Sequence, residues 1–190
     1  MAKIIAIYGL PASGKTTQAE LISKKYGLYQ FGMGDKLREE INSGSELGRR
    51  AKEKVENGLL VPDAIIKGIL KNVQKQAKET GIVFDGFPRM LTQAELLEGI
   101  LKEVNLEIDL FILLRINPRE AERRISNRAK NGKRSDDISQ EVINNRLEIF
   151  RQESAPLISY YKTKNKFIEI DGEMSIPGIF NEIEKHLLSQ

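Results

Sequence analysis

An α/β fold with a doubly wound, five-stranded parallel sheet is predicted by three observations. Short apolar runs recur along the chain, most clearly Ile4-Ile5-Ala6-Ile7-Tyr8, Ile82-Val83-Phe84 and Phe111-Ile112-Leu113-Leu114. Segments of helical length separate them, so strands alternate with helices. The first run passes directly into the glycine-containing stretch Gly9-Leu10-Pro11-Ala12-Ser13-Gly14-Lys15-Thr16, with a helix expected after it. Strands that are apolar on both faces belong to a sheet covered by helices on both sides.

Taken in order, the first strand spans Ile4 to Tyr8, and a helix follows from about Gly14 to Lys25, ended by Gly27. Leu28 to Phe31 is a short second strand. Two helical stretches follow, about Gly34 to Ser43 and Ser45 to Asn57. Pro62 at a first-turn position and Asp63 open a helix expected to run to about Glu79, with Gly81 ending it. Ile82 to Phe84 is the third strand, closed by Asp85. Thr92 to Val104 is helical, and Asp109 to Arg115 is the fourth strand. Pro118 starts a helix to about Ala129, and Asn131 to Asp137 is a polar loop. Gln140 to Lys162 is a long helix, disturbed by Pro156. Lys166 to Ile170 is the fifth strand and Ile176 to Leu188 the last helix. The chain reads as one domain over residues 1–190 with two inserts, a helical one at 32–61 and a short one at 130–137. Both fall at the carboxyl ends of strands, where such sheets bind ligands.

Composition narrows the chemistry. There is no cysteine, which excludes disulfides and thiolate metal sites, and His186 is the one histidine. A histidine-based zinc site is therefore not expected. The first strand starts almost at Met1, without the charged start and cleavage site of a signal peptide. No apolar run is long enough for a membrane span. A cytoplasmic location is expected, with no membrane partner. Eight of twelve arginines lie between Arg115 and Arg151. Such a cluster suits nucleic acid or a compact site for many phosphates. The interleaved aromatics of a single-strand nucleic-acid site are missing, so no nucleic-acid partner is expected.

The stretch from Gly9 to Thr16 fits G-x-x-x-x-G-K-[ST], a loop whose parts each act on a polyphosphate. Gly9 and Gly14 permit backbone angles that let successive N–H groups face phosphate oxygens. Lys15 brings a point charge to the β- and γ-phosphates, and Thr16 or Thr17 offers a hydroxyl to Mg²⁺. The following helix directs its positive N-terminus at the same anion. Asp85, at the end of a buried strand, is the acidic group that holds Mg²⁺ directly or through its waters.

Asp85 also opens Asp85-Gly86-Phe87-Pro88-Arg89, with Gln93 four residues later. Gly34-Asp35-Lys36-Leu37-Arg38 lies upstream. Downstream come Arg124 and Arg128, then Arg134-Ser135-Asp136-Asp137, then Arg146-Leu147. Together these resemble the nucleoside monophosphate kinases, and the adenylate kinases most closely, over nearly the whole chain. The resemblance implies a P-loop NTPase-type sheet, an NMP-binding insert at 32–61 and a short lid at 130–137. It implies that Gly9, Pro11, Ala12, Ser13, Gly14, Lys15, Thr16 and Thr17 bind the ATP phosphates. Arg124, Gly172 and Met174 would meet the ATP adenine. Arg38 and Arg89 would hold the acceptor phosphate. Met33, Gly58, Leu59, Leu60, Val61, Gly86 and Gln93 would complete the AMP site. Lys15, Arg89, Arg128, Arg134 and Arg146 would act on the transferring phosphoryl group. Thr16, Thr17 and Asp85 would serve Mg²⁺, partly through water. Arg119, Arg123 and Arg151 are read as solvated helix faces. Asp136 and Asp137 fit either pairing with lid arginines or an N-cap for the helix near Gln140.

The chain departs from the family loop Gly-Gly-Pro-Gly-Ser-Gly-Lys-Gly-Thr at Leu10, Ala12 and Thr16. Leu10 should point away from the phosphates, and Ala12 reads as a mild change. Met33 replaces the threonine usual in adenylate kinases and the alanine of uridylate/cytidylate kinases. Lys36 replaces a usual leucine. Gln93 favours AMP, since the pyrimidine kinases resemble one another in carrying asparagine there. The expected activity is Mg·ATP + AMP ⇌ 2 ADP by a monomer without zinc. The alternatives are a UMP/CMP kinase, or a non-catalytic nucleotide-binding protein of the same fold.

Overall fold

Five strands, β1 (Ile4–Gly9), β2 (Tyr29–Gly32), β3 (Ile82–Asp85), β4 (Leu110–Arg115) and β5 (Phe167–Asp171), form one sheet in the order β2-β3-β1-β4-β5. Every neighbouring pair is parallel, with Ile5 opposite both Val83 and Leu110. The computed structural model describes residues 3–130 and 139–188. Helices α1 (Lys15–Tyr26), α2 (Met33–Ser43), α3 (Glu46–Glu56), α4 (Asp63–Ile69), α5 (Val73–Glu79), α6 (Leu91–Lys102), α7 (Pro118–Lys130), α8 (Gln140–Thr163) and α9 (Ile176–Leu188) surround it.

The side-chain alternation of β1 divides the core. Ile5 and Ile7 face a cluster completed by Ala19 and Ile22 of α1 and Ile179, Ile183 and Leu187 of α9. Ile4, Ala6 and Tyr8 face the opposite cluster, with Leu97 and Leu101 of α6 and Leu157 and Tyr161 of α8. There Phe111 of β4 stacks on Tyr161 with ring centroids 4.2 Å apart. Each such fully buried aliphatic or aromatic side chain contributes roughly 1.5–3 kcal/mol. The chain winds to one side of β1 through β2 and β3, then crosses to β4 and β5. The reversal leaves a crevice at the carboxyl end of β1.

The expected helix from Pro62 to Glu79 is two helices. A 3-10 turn, Leu70–Asn72, separates α4 from α5. Tertiary contacts override the helical pattern here. Gly68 is pressed against α3, where an added Cβ would lie 2.8 Å from a Leu47 methyl. Gln74 of α5 donates to the Ile100 carbonyl of α6 at 2.9 Å. The tighter turn brings Leu70 and Val73, three apart, onto one buried face. Pro156 does not end α8, which continues to Thr163 with the proline ring exposed.

Residues 32–61 carry α2 and α3. Gly44 reverses the chain in a left-handed conformation, and the Ser45 hydroxyl caps α3 by accepting from the Gly48 N–H at 2.9 Å. The two helices meet at backbone distance: a Cβ on Gly48 would stand 2.1 Å from the Glu40 carbonyl oxygen. Gly48→Ala is expected to push α3 off α2 and cost about 1–3 kcal/mol, read as a lower urea midpoint.

Candidate functional site

Gly9 ends β1 at φ +150, and a side chain there would lie 2.5 Å from the Leu114 carbonyl oxygen and 2.8 Å from Ser13 Oγ. The loop that follows is wound around Lys15. Its ammonium donates to the carbonyls of Gly9 at 3.0 Å and Leu10 at 2.6 Å, and to Ser13 Oγ at 3.3 Å. Gly14, at φ +98, is the N-cap of α1 and no side chain caps that end. The first N–H groups of the helix and its positive end are thereby directed into the loop. Leu10 turns away as expected, buried among Ile116, Ile125 and Leu147. Ala12 is less innocent than the sequence suggests. It sits at φ +61, a left-handed conformation that costs an L-residue roughly 1–2 kcal/mol.

β3 delivers Asp85 beside this loop. The Gly86 N–H donates to the Ile7 carbonyl at 2.9 Å, which holds the end of β3 against β1. Thr16 Oγ1 then donates to Asp85 Oδ2 at 2.6 Å. Thr17 lines the same cleft, but Thr16 is the hydroxyl that meets the carboxylate. Among the described residues no group of three or more His, Cys, Asp or Glu could hold a metal. One carboxylate and one hydroxyl are hard oxygen donors, and they fit Mg²⁺, which keeps waters and takes phosphate oxygens as its other ligands.

The loop, the Asp85–Arg89 segment, the insert and α8 enclose a cleft of about 440 Å³. Of the residues expected at ATP, Gly9, Pro11, Ala12, Gly14, Lys15, Thr16, Thr17 and Arg124 line it. Ser13, Gly172 and Met174 do not. Ser13 is fully buried under the loop. Gly172 packs behind it, where a Cβ would be 3.3 Å from the Ser13 carbonyl oxygen. Arg124 links it to the cleft, with Nη1 donating to the Gly172 carbonyl at 3.1 Å. Met174 is exposed beyond that turn. Arg124 is steadied from the other side by Glu120 at 2.7 Å. The guanidinium groups of Arg123 and Arg124 pull that carboxyl down to about 2.

Every residue expected at the acceptor lines the cleft: Met33, Arg38, Gly58, Leu59, Leu60, Val61, Gly86, Arg89 and Gln93. Gln93 is 2% exposed, and its Oε1 accepts from the Arg89 backbone N–H at 2.9 Å. That bond sets the orientation of the amide, because only the oxygen can accept from an N–H. The Arg89 side chain is held in turn, with Nε donating to the Gly86 carbonyl at 3.0 Å. Arg38 pairs with Asp35 one helical turn away, and Lys36 pairs with Glu39 at 2.7 Å. Met33 opens α2, is 3% exposed and packs into the core as well as onto the cleft. Arg128 of α7 and Arg146 of α8 also face the cleft. Arg134, Asp136, Asp137 and most of the 130–137 insert lie outside the described residues.

The sequence reading missed Tyr8 and Phe150. Both line the cleft, with rings stacked at 5.2 Å between centroids. The Tyr8 phenol oxygen is buried without a hydrogen-bond partner among the described residues, and burial pushes it well above the usual phenol range. Phe150 stands four positions after Arg146, on the same helical face, a spacing that could have found it.

Replacing Ala12 by glycine should relieve the left-handed strain at the cost of some chain entropy. The free protein is expected to gain about 0.5–1 kcal/mol in urea denaturation. A loss of stability would show that the Ala12 methyl packs favourably.

Residues 7–166 match the family model described as adenylate kinase. Over 182 residues the chain is 41% identical to the adenylate kinase of Bacteroides fragilis strain YCH46, covering 95% of this chain and 96% of that one. It is 39% identical over 180 residues to the adenylate kinase of Bacteroides thetaiotaomicron, covering 94% and 95%. It is 37% identical over 203 residues to that of Archaeoglobus fulgidus, covering 93% and 94%.

Proposed function

The chain belongs to the adenylate kinase family, and from that premise we propose that it transfers the γ-phosphoryl group of Mg·ATP reversibly to AMP, giving two ADP. The observation that carries the proposal is one cleft lined by two unlike sets of residues. A phosphate loop with Lys15 and the Thr16–Asp85 pair shares it with Arg38, Arg89 and the oriented amide of Gln93.

The nucleophile is an oxygen of the AMP phosphate, already an anion, so the step needs no general base. That oxygen bonds to the γ-phosphorus as the bond to the β-phosphate oxygen breaks, and ADP leaves in line with the attack. The barrier is the repulsion between two polyanions. Lys15 and the loop N–H groups neutralise the donor phosphates, while Arg38 and Arg89 hold the acceptor phosphate. Arg128, Arg134 and Arg146 stabilise charge on the moving phosphoryl group. Asp85 and Thr16 would hold Mg²⁺, directly or through its waters, and the ion would supply positive charge that offsets the donor phosphates. Gly58 to Val61 and Met33 would wall the acceptor base, with Gln93 reading its edge. Arg124 would pack on the ATP adenine with Gly172 and Met174 at the rim. The insert at 130–137 serves in this account as a short lid that excludes water. We take the protein to act as a cytoplasmic monomer without zinc. No described helix is long and apolar enough to cross a membrane.

The test supplies ATP, Mg²⁺ and each nucleoside monophosphate in turn, and follows diphosphate formation. Transfer to AMP above all others is expected. Preference for UMP or CMP would overturn the role given to Gln93, and no transfer to any acceptor would make the chain a binding protein. Lys15→Ala and Arg89→Ala should each lower kcat/KM about 10²–10³-fold while the protein stays folded. Arg89→Ala with unchanged turnover and acceptor affinity would remove that residue from the site. Met33→Thr should lower the KM for AMP, and its loss of buried apolar volume should lower the melting temperature.

A further inference from the structure

The acceptor insert and α8 touch where Asn57 ends α3. The Asn57 side chain is spent on its own helix, with Nδ2 donating to the Glu53 carbonyl at 2.7 Å. Its backbone carbonyl accepts from Nδ2 of Asn145, in the second turn of α8, at 2.9 Å. The next residue, Gly58, is at φ +68 and lies flat against the same helix. A Cβ there would be 2.8 Å from the Val142 carbonyl oxygen and 3.2 Å from Cγ of Arg146. Val142, Asn145 and Arg146 are spaced i, i+3, i+4 and share one face of α8.

We infer that Asn145 is a positioning residue that latches the insert to α8, setting the acceptor-base segment and Arg146 in place together. The inference rests on the roles proposed above for Gly58 to Val61 and for Arg146. Gly58 to Val61 begin at the carbonyl that Asn145 holds, and Arg146 is its neighbour in sequence. Any swing of the insert away from α8 must break this bond. Having no side chain, Gly58 lets the segment lie this close to Val142. The bond is exposed, so it defines a position more than it adds stability.

Asn145→Ala and Asn145→Leu, the second of similar volume without a donor, test the latch. Both should raise the KM for AMP and lower kcat, by about twofold to tenfold in kcat/KM, with the KM for ATP unchanged. In the free protein, amide hydrogen exchange over Gly58 to Val61 should quicken by about threefold or more. Unchanged kinetic constants, or equal changes for ATP and AMP, would overturn the inference. So would unchanged exchange at Gly58 to Val61. Failure of the wild-type protein to use AMP would defeat the kinase reading instead, and the exchange rates would still decide whether Asn145 holds the insert.

Discussion

The approach of Gly9 to β4 is the contact on which the site depends. Parallel pairing fixes β1 between β3 and β4, and at its last residue the Leu114 carbonyl leaves no room for a side chain. The loop must therefore rise from one defined point of the sheet. On the other flank the Gly86 N–H to Ile7 bond brings the end of β3 level with it. Lys15, Thr16 and Asp85 meet because these two strand ends are held in register. A wider gap at Gly9 would move the whole loop away from its carboxylate.

Around that fixed point, cationic groups converge from separate elements: Arg38 from α2, Arg89 from the turn after β3, Arg124 and Arg128 from α7, Arg146 from α8. Gathering so much positive charge in one cleft is unfavourable unless anions enter it. Part of the repulsion is offset within the protein, by Asp35 at Arg38 and Glu120 at Arg124. A cleft lined by so many cations suits a family whose reaction passes a phosphoryl group between two phosphate chains. In the proposed reaction the arginines take the place that acids and bases hold in other enzymes, because the nucleophile carries its own negative charge.

Much of this was legible in the sequence. β1, β3 and β4 are buried on both faces and read as unbroken apolar runs. The phosphate loop and the Asp85-to-Arg89 segment are local strings whose chemistry does not depend on distant neighbours. What escaped depends on contacts between remote positions. The break at Leu70–Asn72 comes from Leu47 and Ile100. Buried Glu98 is satisfied by Tyr160, near the far end of α8, and by Lys164 just beyond it. Tyr8 reads as one more strand residue until Phe150 is placed beside it. Asn145 carries no motif, and its partner Asn57 is 88 positions away. The strain at Ala12 is local but conformational, and a small side chain gives no sign of it.

In the proposed reaction one cleft holds a donor and an acceptor nucleotide at the same time. Calorimetric titration of AMP into the protein, with and without a saturating non-hydrolysable ATP analogue and Mg²⁺, tests it without turnover. AMP should bind one to one in both cases, with affinity equal or higher when the donor site is filled. Loss of AMP binding in the presence of the analogue would mean a single nucleotide site and would rule out a cleft that holds both.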